Sequence, residues 1–356
     1  MPVFVSKPTF RVPENAYAQS EILSWMLSDS RLSEINRRKL NRVYNDGGIK
    51  NRHSVLQAFR TTTEQNSIYA ASTQTRMELF REHALPFSIQ VVQDFLSESD
   101  INPSLITHLV WVSCTGLMAP GPESILRQSF RFHPLLQTTA FNFLGCHGFF
   151  HALRFGSSIV EANPEAKVLV VCLEFCTLHF QPNDSDDRIL ANSLFADGAA
   201  VTMISGLRPK GKAIQVIKSY QSFFANASDE MAWKLGETGF DMRLARNLPE
   251  SVVLAVRACL KQPIPDEISS LKEIKHWLVH PGGKRILDLM EKDIPELQNK
   301  LETSRSILRD FGNVSSASVL FALRRFLENE KAFSGESGFL MGIGPGLSLE
   351  ASLFVV

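Results

Sequence analysis

The chain has 356 residues, 44% of them hydrophobic, which suffices for one large domain or two fused medium ones, each with a substantial core. Lysine plus arginine (37) equals aspartate plus glutamate (37), so no global basic field draws it to nucleic acid and no acidic tail marks a disordered regulator. A small-molecule substrate is the better expectation.

The first hundred residues read as helical, with apolar spacing over 20–26 and 31–44 and Gly47-Gly48 stopping the second helix. From there the pattern changes. Leu109-Val110-Trp111-Val112, Ala140-Phe141-Asn142-Phe143 and Val168-Leu169-Val170-Val171 are short apolar runs separated by helical segments, the signature of a largely buried sheet. A strand-like 199–204 leads into Gly206-Leu207-Arg208-Pro209-Lys210-Gly211, which divides the chain into halves 1–207 and 208–356. The second half repeats the theme with a helix over 249–260, a strand over 276–279, helices from Gly283 and Ser315, and strands over 338–341 and 351–356. The N-terminal Met1-Pro2-Val3-Phe4-Val5-Ser6-Lys7-Pro8 has no positive start before a long apolar run. No later stretch approaches the roughly 18 apolar residues of a membrane span, so a cytoplasmic protein is expected. Five cysteines, an odd number, argue against a secreted disulfide scaffold.

Each half contains a glycine, then a polar residue, then a helix: Leu144-Gly145-Cys146 and Phe311-Gly312-Asn313. A helix N-terminus offers unpaired N–H groups and a positive dipole end, where a thiolate or oxyanion is well held. Glycines on both sides of Cys146-His147 allow a tight turn and close approach of a thioester carbonyl, as a nucleophile needs. The plainer alternative is a small buried hydrophobe. His280-Pro281-Gly282-Gly283 ends an apolar strand with an imidazole, where α/β sites gather, although a strand-end histidine also serves as a hydrogen-bonded core residue. Asn313 taken alone reads better as an N-cap for the helix that follows. His147 and His151 lie four apart, as zinc ligands can, but no third ligand accompanies them and no metal is expected.

Together these stretches resemble the type III polyketide synthases, the family of plant chalcone and stilbene synthases and their bacterial naphthalene- and alkylpyrone-forming relatives. The resemblance runs from about Lys39 to the end. It includes Val112-Ser113-Cys114-Thr115-Gly116 with Pro120-Gly121, the Cys146 turn, Val171-Cys172-Leu173-Glu174 and Leu194-Phe195-Ala196-Asp197-Gly198. His280-Pro281-Gly282-Gly283, Gly312-Asn313-Val314-Ser315-Ser316-Ala317 and Gly342-Ile343-Gly344-Pro345-Gly346-Leu347 complete it. It implies a five-layered αβαβα thiolase fold of two similar halves, active as a homodimer on an acyl-CoA starter and malonyl-CoA, without a further cofactor. Cys146 would carry the acyl chain as a thiolate persisting at neutral pH beside an imidazolium. His280 and Asn313 would hold the thioester oxygen of malonyl-CoA as carbon dioxide leaves, because two donors aimed at an enolate oxygen stabilise its charge.

The resemblance further implies a gatekeeper at Phe195 and a second at Met242, where the plant enzymes carry an aromatic. Cavity positions fall on Cys114, Thr115, Cys176, His179, Trp233 and Ser315, with Cys114 like that of the naphthalene-forming synthases. Lys39 and Arg42 match basic positions for the CoA phosphates; a third such position is Asp46 here, and Lys284 and Arg285 stand as substitutes. Two alternatives remain at this stage: a ketoacyl synthase of fatty acid synthesis performing one condensation, and an inert thiolase-fold scaffold binding an acyl group.

Overall fold

A computed structural model describes residues 1–57, 59, 67–224, 227–265, 270–329 and 334–356. The strands are β1 (Val3–Ser6), β2 (Thr9–Arg11), β3 (Asn15–Ala18), β4 (Asn51–Ser54), β5 (His108–Ser113), β6 (Gln137–Asn142), β7 (Lys167–Phe175) and β8 (Asp197–Ser205). They continue with β9 (Ala213–Phe223), β10 (Met231–Gly236), β11 (Gly239–Leu244), β12 (His276–Val279), β13 (Ser337–Gly344) and β14 (Ser348–Val355). The α-helices are α1 (Gln19–Leu27), α2 (Glu34–Asp46), α3 (Thr73–Ser99), α4 (Pro122–Ser129) and α5 (Gly148–Ala162). After them come α6 (Asp186–Leu194), α7 (Leu248–Leu260), α8 (Lys284–Asp293), α9 (Glu302–Phe311) and α10 (Ser318–Glu328).

The main sheet runs β12-β13-β14-β9-β1-β8-β7-β5-β6, with β2 added on β8. Its two ends repeat one topology. β5 lies parallel to β7, which is antiparallel to β8, itself antiparallel to β1; β12, β13, β14 and β9 follow the same pattern. An antiparallel β1–β9 pair joins the two.

Side-chain alternation along these strands builds the layers. Val110 and Val112 of β5 and Val168, Val170 and Cys172 of β7 face a central core with α5 and α10. Their neighbours Leu109, Trp111, Leu169, Val171 and Leu173 face an outer layer with α3. In the second half Leu278 and Leu340 point to the same central core, while Trp277, Val279, Phe339 and Met341 face α7 and α8. A period of two with both faces apolar is what a sheet covered on both sides requires. The result is the five-layered αβαβα thiolase fold of two similar halves.

One expectation needs correction. The first hundred residues are not all helical: they also hold β1 to β4, and β1 sits in the middle of the main sheet between β8 and β9. Its partners lie about two hundred residues away, and a four-residue run at a terminus carries no local signal of such pairing. The hairpin β10–β11 also went unread, although Gly236-Glu237-Thr238-Gly239 places two residues between two alternating runs.

Candidate active site

The turn between β6 and α5 presents Cys146. Gly145 has φ +81°, and a Cβ there would lie 2.1 Å from Pro345 Cδ, so only glycine lets the turn pack under 345–347. The Cys146 thiol is buried, and the side chains of Ser315 and Asn313 favour its charged form. Asn313 leaves α9 through Gly312 (φ +74°) and zips onto the end of α6: its N–H donates to Leu194 O (2.9 Å) and its C=O accepts from Ala196 N (2.9 Å). Its Oδ1 accepts from Ser315 N (2.9 Å), the capping contact the sequence allowed, which leaves the amide N–H group to face the thiol. Ser315 itself stands at φ +44°, a left-handed backbone on a non-glycine residue, as strained positions at functional sites often are.

His280 directly follows β12, its backbone N–H donating to Met341 O (2.8 Å). The side chain is 1% exposed and neither ring nitrogen has a hydrogen-bond partner. Leaving a buried polar atom unpaired costs about 1–3 kcal/mol, so two on one ring mark a group held open for something else. His179 provides the contrast. Its Nδ1 accepts from Phe240 N (3.1 Å), so its Nε2–H donates to Thr115 O (2.8 Å), and the satisfied ring stacks on Phe240 at 4.1 Å. It is a wall of the site, not a titrating group.

Burial pushes the Cys146 thiol up to about 12 and the His280 imidazole down to about 3. Burial alone thus works against the thiolate expected at neutral pH, and against an imidazolium alone as well. A thiolate can arise by passing the thiol proton to an imidazole, since the opposite charges then offset part of each other's lost hydration.

Cys114, Thr115, Cys176, His179, Phe195, Trp233, Met242 and Ser315 line one pocket with Cys146. It encloses about 630 Å³ of unfilled space including its mouth, narrowed by the large side chains of Trp233 and His179 in its wall. Trp233 is pinned by Nε1–H donating to Cys114 O (2.9 Å) and pairs with Met242 across the β10–β11 hairpin. Phe195 caps α6 and its C=O accepts from Arg52 Nη1 (2.9 Å), a guanidinium buried among backbone carbonyls. Glu174, wholly buried, accepts from Cys114 N (2.9 Å), the Thr115 hydroxyl (2.9 Å) and the Ser316 hydroxyl, and so ties the floor of the first half to the second. Phe240 and Arg188 also line the pocket and were not singled out from sequence; both depend on the hairpin, Arg188 through Asp241 on β11.

The four basic residues matched to CoA lie outside this lining, each beside a carboxylate. Lys39 meets Asp186 (2.5 Å), Arg42 faces Asp46 (3.9 Å), Lys284 meets Asp288 (2.8 Å) and Arg285 meets Glu250 (2.5 Å). Exposed pairs of this kind are worth about 0–1 kcal/mol, so a phosphate can displace them. Among the described residues no group of three or more histidine, cysteine or carboxylate side chains converges as metal ligands, and no helix is long and apolar enough to cross a membrane.

Comparison with known proteins places this geometry. The chain is 27% identical over 323 residues to the alpha-pyrone synthesis polyketide synthase-like Pks18 of Mycobacterium tuberculosis, covering 89% of this chain and 82% of that protein. It is 28% identical over 349 residues to the 1,3,6,8-tetrahydroxynaphthalene synthase of Streptomyces coelicolor, covering 98% and 90%. The crystal structure of a Streptomyces coelicolor 1,3,6,8-tetrahydroxynaphthalene synthase superposes with a TM-score of 0.88 at 26% identity over 99% of both chains. The type III polyketide synthase domain of Steely1 from Dictyostelium shares the fold at a TM-score of 0.92 and 23% identity, over 100% of this chain and 99% of that one. The N-terminal and C-terminal domain models of the chalcone and stilbene synthases match residues 9–209 and 215–356, and the chain therefore belongs to that family, the type III polyketide synthases, acyltransferases that form carbon–carbon bonds by condensation.

Proposed function

We propose that the chain loads an acyl starter from CoA onto Cys146 and extends it repeatedly with malonyl-CoA before ring closure to a pyrone, resorcinol or related polyketide. His280 takes the thiol proton as the starter loads. With Asn313 it then holds the thioester oxygen of malonyl-CoA while carbon dioxide leaves, and the resulting enolate attacks the acyl group on Cys146. What supports this is the His280 ring, buried directly after β12 with both nitrogens unpartnered, together with the Asn313 and Ser315 side chains, which favour the charged form of the Cys146 thiol. An inert scaffold gains nothing from that cost. CoA thioesters are the only co-substrates in this reading, with Lys39, Arg42, Lys284 and Arg285 exchanging their carboxylate partners for CoA phosphates, and no metal is used. The halves divide at 207/208, between β8 and β9.

The active form is a homodimer in this reading, joined along the free edge of β6, where Gln137, Thr138, Ala140 and Asn142 are exposed beside Leu135 at 78%. Light scattering on the purified protein should give twice the chain mass. All five cysteines are free and buried, which suits the reducing cytoplasm.

Incubating the protein with malonyl-CoA and a panel of acyl-CoA starters, with mass spectrometry of products, tests the reading. Polyketides from several malonyl units support it; one β-ketoacyl extension points to a ketoacyl synthase. The narrow, sulfur-lined pocket favours an aliphatic starter, and each methylene buried adds up to about 0.8 kcal/mol, roughly fourfold in kcat/KM, until the channel is full. Trp233→Ala should move that optimum to longer chains. An unchanged chain-length profile, or coumaroyl-CoA as the best starter of the wild type, would overturn this view of the cavity.

A further inference from the structure

The last carbonyls of α6 have no partner inside the helix, and each must find one elsewhere. Asn192 O accepts from Arg52 Nη1 (2.6 Å) and from the Tyr44 hydroxyl (3.1 Å), and Ser193 O accepts from Gln19 Nε2 (2.9 Å). Leu194 O accepts from the Asn313 N–H (2.9 Å), and Phe195 O accepts again from Arg52 Nη1 (2.9 Å). Ala196 N then donates back to Asn313 O (2.9 Å). Asn313 is thus docked on a segment that Arg52 grips on both sides of the docking point.

Arg52 comes from β4, where it pairs with Tyr17 of β3, and its side chain is buried. Its Nε donates to Gln19 Oε1 (2.8 Å) and its Nη2 to the Tyr44 hydroxyl (3.5 Å), and among the described residues none of its donors meets a carboxylate. Withdrawing a cation from water without a paired anion is costly, and a neutral side chain could fill the same space. A helix C-terminus favours a positive charge, which offsets part of that cost. A plain helix cap has no need of the second contact that Arg52 makes. Its stem packs against Gly312, where a Cβ would lie 2.9 Å from Arg52 Cγ and 3.1 Å from Leu194 O. Gly312, at φ +74°, is the turn that delivers Asn313. Head and stem of one side chain therefore hold the two segments, 194–196 and 312–313, that meet as the parallel bridge between Phe195 and Asn313.

We propose that Arg52 is a positioning residue for the condensing chemistry: it fixes Phe195 and Asn313 against each other and so aims the Asn313 amide that holds the enolate oxygen. The proposal rests on that reading of Asn313. Phe195 lines the pocket and Arg52 lies behind it, so Arg52 does not touch the substrate. Loss of its grip therefore shows as misaimed chemistry and not as weaker binding.

The test measures malonyl-CoA decarboxylation in two variants. Arg52→Met keeps the stem and loses the head; Arg52→Lys keeps the charge but not the planar fork that spans Asn192 O and Phe195 O, and decides the matter where the neutral variant does not fold. Rates are taken per chain that acylates at Cys146, read by intact mass after an acyl-CoA pulse, so unfolded protein does not count. A misaimed amide should lower kcat roughly tenfold to a hundredfold with KM within about twofold, Arg52→Lys losing less than Arg52→Met. Because Arg52 acts through Asn313, adding Arg52→Lys to Asn313→Ala should change the residual rate by less than about twofold. Wild-type kcat in Arg52→Lys, a raised KM at unchanged kcat, or the same loss in the Asn313→Ala background as in wild type would overturn the positioning role and leave the condensing reading in place. Decarboxylation at the wild-type rate in Asn313→Ala, or a wild type that consumes no malonyl-CoA, would overturn the reading and this proposal with it.

Discussion

Cys146→Ala is expected to abolish polyketide formation yet retain decarboxylation of malonyl-CoA. Among the described thiols lining the pocket, that of Cys146 is the one whose charged form both Asn313 and Ser315 favour, so on the proposed reading no acyl chain is carried without it. Cys114 cannot replace it: its sulfur is engaged with Gly145 N (2.8 Å) and Gly145 O (3.2 Å), and burial raises its pKa well above the usual thiol range. Decarboxylation needs donors to the enolate oxygen, which on the proposed reading His280 and Asn313 supply without the sulfur. Measuring carbon dioxide release beside product yield checks both halves of the statement, and product formed by the alanine variant would refute it.

Asn313→Ala is expected to lower decarboxylation by a hundred- to a thousandfold, on the order of what one oxyanion donor contributes. The alanine also removes the acceptor for Ser315 N, a capping contact worth about 1 kcal/mol, so a loss from disordered backbone must be separated from a loss of chemistry. Asn313→Asp does so. The carboxylate keeps an acceptor for Ser315 N but presents negative charge where the enolate forms, so it should fold like wild type and still fail. Decarboxylation at the wild-type rate in either variant would remove Asn313 from the chemistry.

What could be read from the sequence was local. The Cys146 turn, the His280 strand end and the Gly312-Asn313 exit from a helix each carry their geometry within four or five residues. Their motifs therefore survive reading without coordinates, and so does the alternation that makes β5, β7 and β12. The unread parts depend on distant partners. β1 needs β8 and β9 to become a strand, and Arg188 becomes part of the pocket through Asp241 on the unread hairpin. Glu174 was quoted as one residue of a motif, but its work of joining Cys114, Thr115 and Ser316 appears only when the halves meet. The pressure against charge at the site is non-local for a related reason: neighbours in a motif suggest an ion pair, whereas the burial that pushes the Cys146 thiol up and the His280 imidazole down is a property of all five layers.

The most direct test of the account is to follow the protein itself during turnover. A short pulse of acyl-CoA with malonyl-CoA, quenched at intervals and analysed by intact mass and peptide mapping, should find one acyl adduct on the Cys146 peptide that grows in successive two-carbon ketide steps. An adduct mapping to Cys114 or Cys176, or one that never grows beyond the starter, would contradict it.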